Sequence, residues 1–277
     1  MKRMLRFPAG LLLLTTLSSC YPSLYFADRV QTTAFTDKNQ FVLNGSLKPQ
    51  SKPNDSLDLP SGAFSYSYDA AYSFDKNWAI TAFYSNVNGR RVREDQVGLS
   101  YGNGVGGTHD GERYEIGLTY FKPNRSNGVA EFSGGFSRGN IRRTSIMSPA
   151  DNFNTKYNMY FAQAAYSVKT DYVVVSVGGK LWAEHFYSFT GPQDLRNRYK
   201  SRNGADISRY PFVFTNLFLN MEAGYKFIKF NTQMGMPVQL NGSSIAGFPL
   251  YITFGMVFRL EKDIFNNKKQ SATDNED

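Results

Sequence analysis

From Phe64 to Phe74 the sequence alternates without a break. Phe64, Tyr66, Tyr68, Ala70, Tyr72 and Phe74 take every second position, and Ser65, Ser67, Asp69, Ala71 and Ser73 lie between them. Successive side chains of a strand point to opposite faces, so this period dictates a strand with one aromatic face and one small, polar face. Asp75-Lys76-Asn77 reverses the chain, and Trp78, Ile80, Ala82 and Tyr84 resume the pattern, which predicts a hairpin. The period leaves open which face meets water.

Composition bears on that choice. The 277 residues include 18 Tyr and 23 Phe but 2 Trp, and aromatics make up 16 % of the chain. Mean hydropathy is nevertheless −0.42. A soluble sandwich would hide its rings between two sheets, whereas a membrane barrel points them outward and keeps a polar interior. Composition alone admits both, and the second arrangement explains a chain that is ring-rich yet hydrophilic on average.

The N-terminus favours the membrane. "MKRMLRFPAGLLLLTTLSSC" joins a basic start (Lys2, Arg3, Arg6) to a short apolar run and small residues before Cys20. This reads as a secretory signal over residues 1–19, too short to span a bilayer as a helix. Leu17-Ser18-Ser19-Cys20 resembles the lipobox of bacterial lipoproteins, which implies cleavage before Cys20 and lipidation of its thiol. Cys20 is the single cysteine, so it has no partner for an internal disulfide. No later stretch reaches eighteen consecutive apolar residues. The formal charge of +8, less 3 for the signal cations, leaves +5 in the mature chain, with no run dense enough to suggest nucleic acid.

Beyond a proline-dotted lead over 20–38, alternating segments fall at about 40–48, 62–75, 78–87, 112–121, 129–141, 156–169, 171–184, 211–225, 228–238 and 248–260. Segment 94–102 is a candidate for one more. Bacterial membrane barrels have even strand numbers, short periplasmic turns and longer outer loops. The tight reversals here are Asp75–Asn77, Lys122–Asn127, Lys169–Asp171 and Tyr225–Ile228. Short and long connections alternate only if 94–102 belongs to a long outer loop. The expectation is therefore a ten-stranded antiparallel transmembrane β-barrel over 39–260, an up-and-down meander with both termini periplasmic, followed by a disordered tail over 261–277.

The faces sort consistently with that reading. Outward rows include Tyr114, Ile116, Leu118, Tyr120; Tyr160, Ala162, Ala164, Tyr166, Val168; and Ile252, Phe254, Met256, Phe258. The opposite rows hold Arg113, Glu115, Glu131, Lys180, Glu184, Glu222, Lys229 and Arg259, four basic and four acidic. Arg138 and Lys156 break the rule by parity, but both sit near strand ends, where a long side chain reaches water. A charge on the lipid face costs roughly 2–4 kcal/mol at mid-membrane, so hydrocarbon enforces this segregation. A narrow barrel with balanced interior charges, and with Phe212, Phe214, Phe218 and Tyr251 on the same faces, predicts a plugged, salt-bridged lumen.

"AAYSFDKNWAITAFYS", "MEAGYKFIKFNTQMGMPV" and "PLYITFGMVFRL", together with the lipobox, resemble the lipid-anchored outer-membrane β-barrel proteins of Bacteroidota. The resemblance runs from Cys20 to about Leu260 and implies architecture and address rather than activity. The last strand is similar to the C-terminal signal by which such barrels are recognised for assembly, although here a tail follows it. Surface-exported lipoproteins of that phylum carry acids directly after the cysteine. Cys20-Tyr21-Pro22-Ser23-Leu24 has none, which implies an anchor in the inner leaflet of the outer membrane.

Catalytic signals are sparse. Gly102, Gly104 and Gly107 match G-x-G-x-x-G, but a dinucleotide site needs a helix directly after it, and here a turn and a strand follow. The two histidines, His109 and His185, fall at the outer rim with Asp110, Asp194 and Asp206 as loose partners, and no nucleophile motif accompanies them. No spacing suggests a metal site, and no cofactor is expected. Basic outer loops stand out: Arg90, Arg91 and Arg93; Arg142 and Arg143; and Arg196, Arg198, Lys200, Arg202 and Arg209. Such a rim attracts lipid phosphates, lipopolysaccharide or an acidic envelope protein. The function expected is a non-catalytic, structural or partner-binding accessory subunit of an envelope complex. A narrow small-solute channel and a rim hydrolase are the alternatives.

Overall fold

The computed structural model describes residues 29–49, 64–88, 107–145, 152–193, 208–225, 227–241 and 250–260. Among these, ten strands follow in chain order: β1 (Phe41–Pro49), β2 (Phe64–Ser73), β3 (Trp78–Asn88), β4 (Gly107–Pro123), β5 (Gly128–Ser145), β6 (Phe153–Lys169), β7 (Val173–Thr190), β8 (Phe212–Tyr225), β9 (Ile228–Gln239) and β10 (Tyr251–Leu260). Each pairs antiparallel with its sequence neighbours, and β1 closes the ring on β10. The fold is the predicted all-β, ten-stranded up-and-down barrel. Pairing of β3 with β4 runs from Trp78↔Tyr120 to Val87↔Gly111, so no strand stands between them. Segment 94–102 itself lies outside the described residues, as do the signal, Cys20 and the 261–277 tail.

Closure satisfies every edge of the sheet, which is what a wall without solvent on its outer side requires. The short turns gather at one end, and two asparagines shape the one between β4 and β5. Asn127 adopts a left-handed backbone (φ 60°), which Asn tolerates better than most residues. The side-chain carbonyl of Asn124 accepts from the amides of Ser126 (2.9 Å) and Gly128 (2.8 Å).

Strands β4 to β7 are longer than the alternation predicted, at 17 or 18 residues against 9 to 14 for the others. Their extra length lies at the long-loop end. Outward positions there are polar (Asp110, Glu112, Asn140, Arg142, Asn154, Lys156), so the hydrophobic pattern stops while backbone pairing continues. Sequence period reports the solvent, not the ladder.

The outer face carries the rings and aliphatic side chains. Leu217 is 63 % exposed and Phe230 69 %, and Tyr114, Ile116, Leu118, Val177, Ile252 and Phe254 are also exposed. Aromatic contacts gather toward both ends. Trp78–Tyr120 (5.2 Å) and Tyr172–Tyr225 (6.4 Å) lie at the tight-turn end; Tyr84–Tyr114 (4.9 Å) and Phe136–Tyr160 (5.4 Å) lie toward the other. An apolar band between two aromatic girdles is the surface of a barrel solvated by lipid.

One expectation is corrected. The sequence places the 20–38 lead outside the barrel, in the periplasm. Its described part instead enters the lumen: Arg29, Val30, Thr32, Thr33, Ala34 and Phe35 are all buried. A polar interior facing an empty cylinder would be open to water; here the chain itself fills it.

Candidate functional site

The lumen is built in three layers. At the tight-turn end, Phe35 packs on Phe121 (5.7 Å) within a cluster with Val42, Ala71, Ala79, Val129 and Val257. Residues 36–40 turn outside this layer. The Asn39 amide donates to the Ser73 carbonyl (2.6 Å), and the Gln40 side chain accepts from the Thr36 amide (2.8 Å).

Above it lies a charged layer through which residues 29–34 ascend. Glu131 of β5 grips the bend of this segment. Its carboxylate accepts from the amides of Thr33 (3.2 Å) and Ala34 (2.6 Å) and from the Thr33 hydroxyl. Ala34 is held at φ 47°, a left-handed conformation costly for a residue with a Cβ. Successive amides around such a residue form a concave anion site, which Glu131 occupies. Arg259 of β10 makes a two-pronged pair with Glu222 of β8, Nε and Nη2 each at 2.9 Å, and also donates to the Thr33 carbonyl. Gln233 of β9 accepts from the Val30 amide (2.6 Å) and donates to the Val30 carbonyl (2.8 Å), taking the place of a neighbouring strand. Gln163 of β6 donates to the Gln31 carbonyl (2.7 Å). Arg29 pairs with Asp69 of β2, whose carboxylate also accepts from Asn44 (2.7 Å).

The third layer, toward the long loops, is aromatic. Ile141, Phe153, Tyr157, Met159, Phe161, Trp182, Phe186, Phe212, Phe214 and Tyr251 form one inward-facing cluster, with Trp182 stacked on Phe214 at 5.2 Å. Lys180 joins it to the charges below. Its ammonium donates to both oxygens of Glu115 (2.8 Å each) and lies 4.1 Å from the Phe161 ring centre.

All eight charges assigned to the interior from the sequence face inward: Arg113, Glu115, Glu131, Lys180, Glu184, Glu222, Lys229 and Arg259. They do not form one ring. Lys229 caps the turn at the carbonyls of Thr170 (3.3 Å) and Asp171 (2.9 Å), while Lys180–Glu115 and Arg259–Glu222 are separate pairs. Arg29 and Ala34 were not anticipated. The available signal was slight: "RVQTTAF" has a single charge and no Gly, Pro, Asn or Asp to mark a turn.

The loop cations divide differently. Arg90, Arg91, Arg93, Arg196, Arg198, Lys200 and Arg202 lie outside the described residues, and Arg209 is exposed. Of the rim histidines, the side chain of His109 is outside the described set, and His185 Nε2 lies 2.9 Å from the Ser208 carbonyl. Arg138, the parity exception, is exposed beside the outer girdle; its Nε donates to the Tyr187 hydroxyl (3.0 Å).

Glu131→Gln keeps one acceptor and loses the charge from this grip. Hydrogen bonds to a charged partner contribute about 1.5–3 kcal/mol. The Thr33 and Ala34 amides should therefore exchange about 10- to 100-fold faster in the variant, read by hydrogen exchange on the reconstituted protein. Unchanged protection would show that Glu131 does not hold the segment.

No family model matches this sequence, and no curated protein matches it. Solved structures share its barrel form at low identity. The attachment invasion locus protein Ail of Yersinia pestis is 8 % identical over 80 % of this chain and 99 % of its own, with a TM-score of 0.32. The translocator domain of the autotransporter NalP from Neisseria meningitidis is 9 % identical over 80 % of this chain and 85 % of its own, with a TM-score of 0.42. OmpT from the outer membrane of Vibrio cholerae is 10 % identical over 84 % of this chain and all of its own (100 %), with a TM-score of 0.27. The likeness is one of barrel architecture and reaches no site residue.

Proposed function

We propose that this protein is an outer-membrane barrel lipoprotein, anchored through Cys20, that serves as a non-catalytic structural or partner-binding subunit of an envelope assembly. The observation that carries the reading is the filled lumen. Side chains pointing at the axis of a cylinder are almost fully buried, with Arg259, Glu222 and Lys229 each 1 % exposed. Protein groups bond all three: Arg259 and Glu222 hold each other, and Lys229 donates to the carbonyls of Thr170 and Asp171. A conducting path needs the reverse, charges that stay hydrated.

Binding then falls to the long-loop end. The tall wall of β4 to β7 lifts polar, outward-facing positions above the outer girdle, with Arg142 of β5 and Lys156 of β6 among them and Arg138 of β5 at the girdle below. Exposed cations there suit lipopolysaccharide phosphates, and the arginine-rich composition of the long connections suits an acidic envelope protein.

The test is a mild-detergent pull-down from envelopes with a tag on the C-terminal tail, paired with planar-bilayer recording of the purified barrel. A stoichiometric companion and electrically silent membranes are expected. Steady unitary conductance, or purification of the barrel alone, would overturn the reading.

A further inference from the structure

The outward charges at the long-loop end are not spread evenly round the barrel. On the described strands the cations are Arg138 and Arg142 of β5 and Lys156 of β6, and the acids are Asp110 and Glu112 of β4. Arg142 stands directly opposite Asp110, and Glu112 stands opposite Asn140 on that same flank of β5. Arg138 and Lys156 meet on the other flank. In the register Arg138 pairs with Asn158 and Asn140 with Lys156, which makes Arg138 and Lys156 diagonal neighbours. Such neighbours lie about 7–8 Å apart, within reach of one ligand for side chains this long. Among the described residues no carboxylate forms an ion pair with either cation.

A fault in the ladder completes the cluster. Tyr157 pairs with Phe186 and Lys156 with Ser188, so Tyr187 is an extra residue with no register partner on β6. A bulge of this kind re-aims a side chain. Phe186 stays buried in the lumen, and Tyr187 turns outward, 38 % exposed. Tyr187 and Arg138 meet over β6. The Arg138 Nε donates to the Tyr187 hydroxyl at 3.0 Å, and the guanidinium carbon lies 5.5 Å from the ring centre. The guanidinium is thereby held by one edge, and its two Nη groups remain for a two-pronged grip on an oxyanion. The Tyr187 hydroxyl, accepting from Arg138, keeps its own proton to donate.

Height selects the anion. Phe136 and Tyr160, whose rings are 5.4 Å apart, stand two residues below Arg138 and Asn158. That separation is about 7 Å along the strands. A ligand shared by the cations and the girdle therefore carries negative charge above and hydrocarbon below.

We propose that Arg138, Lys156 and Tyr187, with the Asn158 amide, hold a phosphate monoester of an outer-leaflet glycolipid, its acyl chains lying against Phe136 and Tyr160. This deepens the binding role proposed above and rests on the outer-membrane orientation given there. The phosphate supplies the negative partner that these two cations do not find in the wall.

The test uses the full chain in dodecyl maltoside, whose head group is an uncharged sugar, with bound lipid counted by native mass spectrometry. The probes are bis-phosphorylated lipid A, the same lipid with its phosphates removed, phosphatidylglycerol and inorganic phosphate. One lipid A should bind saturably, and removal of its phosphates should weaken binding by about 10-fold or more. Arg138→Leu should weaken lipid A about 10- to 100-fold, because hydrogen bonds to a charged partner are lost. Tyr187→Phe, which keeps the ring and removes the hydroxyl, should weaken it about 3- to 10-fold. Lys122→Gln, which removes an exposed cation at the tight-turn end, should leave binding unchanged. Equal binding of lipid A with and without its phosphates, or equal losses in Lys122→Gln and Arg138→Leu, would overturn the site. Displacement of lipid A by inorganic phosphate would overturn the lipid as occupant in favour of a free anion. Tighter binding of phosphatidylglycerol than of lipid A would overturn the glycolipid and the orientation it rests on, whereas the subunit role stands or falls separately with the pull-down.

Discussion

Glu222→Ala lowers the unfolding free energy by about 3–5 kcal/mol, because it leaves the Arg259 guanidinium buried with a single carbonyl partner. Arg259 and Glu222 have side-chain exposures of 1 % and 0 % and meet through two parallel bonds of 2.9 Å. Taking both charges out of water is costly, and their pairing offsets that cost only while it is complete. The size of the loss decides between two pictures of the lumen. In a hydrated pore the same pair would behave like a surface ion pair and be worth about 0–1 kcal/mol. The joint variant Glu222→Leu/Arg259→Met, which removes both charges, should recover most of the loss, since apolar replacement of a whole buried pair is often neutral. Urea titration of the parent protein and both variants, reconstituted in vesicles, reads the two losses. Losses below 1 kcal/mol for Glu222→Ala would mean that water reaches the pair.

Leu118→Arg carries the second large effect. Leu118 is 47 % exposed on the outer face of β4, between Tyr120 toward the tight turns and Tyr114 toward the long loops. In a water-soluble protein an exposed leucine replaced by arginine changes stability by no more than about 0.5 kcal/mol. Between two aromatic girdles the same change puts a cation near the bilayer midplane and costs about 2–4 kcal/mol. Arg138 is the natural control. It faces the same solvent on β5 but sits at the outer girdle, where its guanidinium lies 5.5 Å from the Tyr187 ring centre. Arg138→Leu should therefore change stability little, because charge near the interface costs only about 0–1 kcal/mol.

The wall of this barrel was legible from the sequence because lipid and lumen are opposite solvents and the strand period sorts side chains between them. Tyr114, Ile116 and Leu118 against Arg113 and Glu115 is a pattern that needs no alignment to read. Legibility failed where the outer face no longer met lipid. The upper parts of β4 to β7 went unseen because their outward positions, such as Asp110 and Arg142, are polar, so the apolar outward row stops while Ile141 and Phe153 still face the buried aromatic layer. Residues 29–35 failed for another reason. Surrounded by protein, they show no alternation, and their partners, from Asp69 to Arg259, are up to 226 positions distant in the chain. Glu131 was placed inside correctly, but its role as an anion holding two amides depends on the left-handed Ala34, which no sequence pattern announces. Charge positions were readable; charge partners were not.

The two tryptophans permit the most direct check on the assignment of solvents. Trp78 is 39 % exposed on the outer face beside Tyr120, and Trp182 is 3 % exposed in the lumen against Phe214. Single-tryptophan variants, Trp182→Phe and Trp78→Phe, would be reconstituted in vesicles of lipids brominated along the acyl chain. Fluorescence of the variant retaining Trp78 should be strongly quenched, while the variant retaining Trp182 should keep its intensity. Equal intensities in brominated and plain lipid for both variants would show that hydrocarbon does not wet the ring-bearing face, and would contradict the membrane-barrel account.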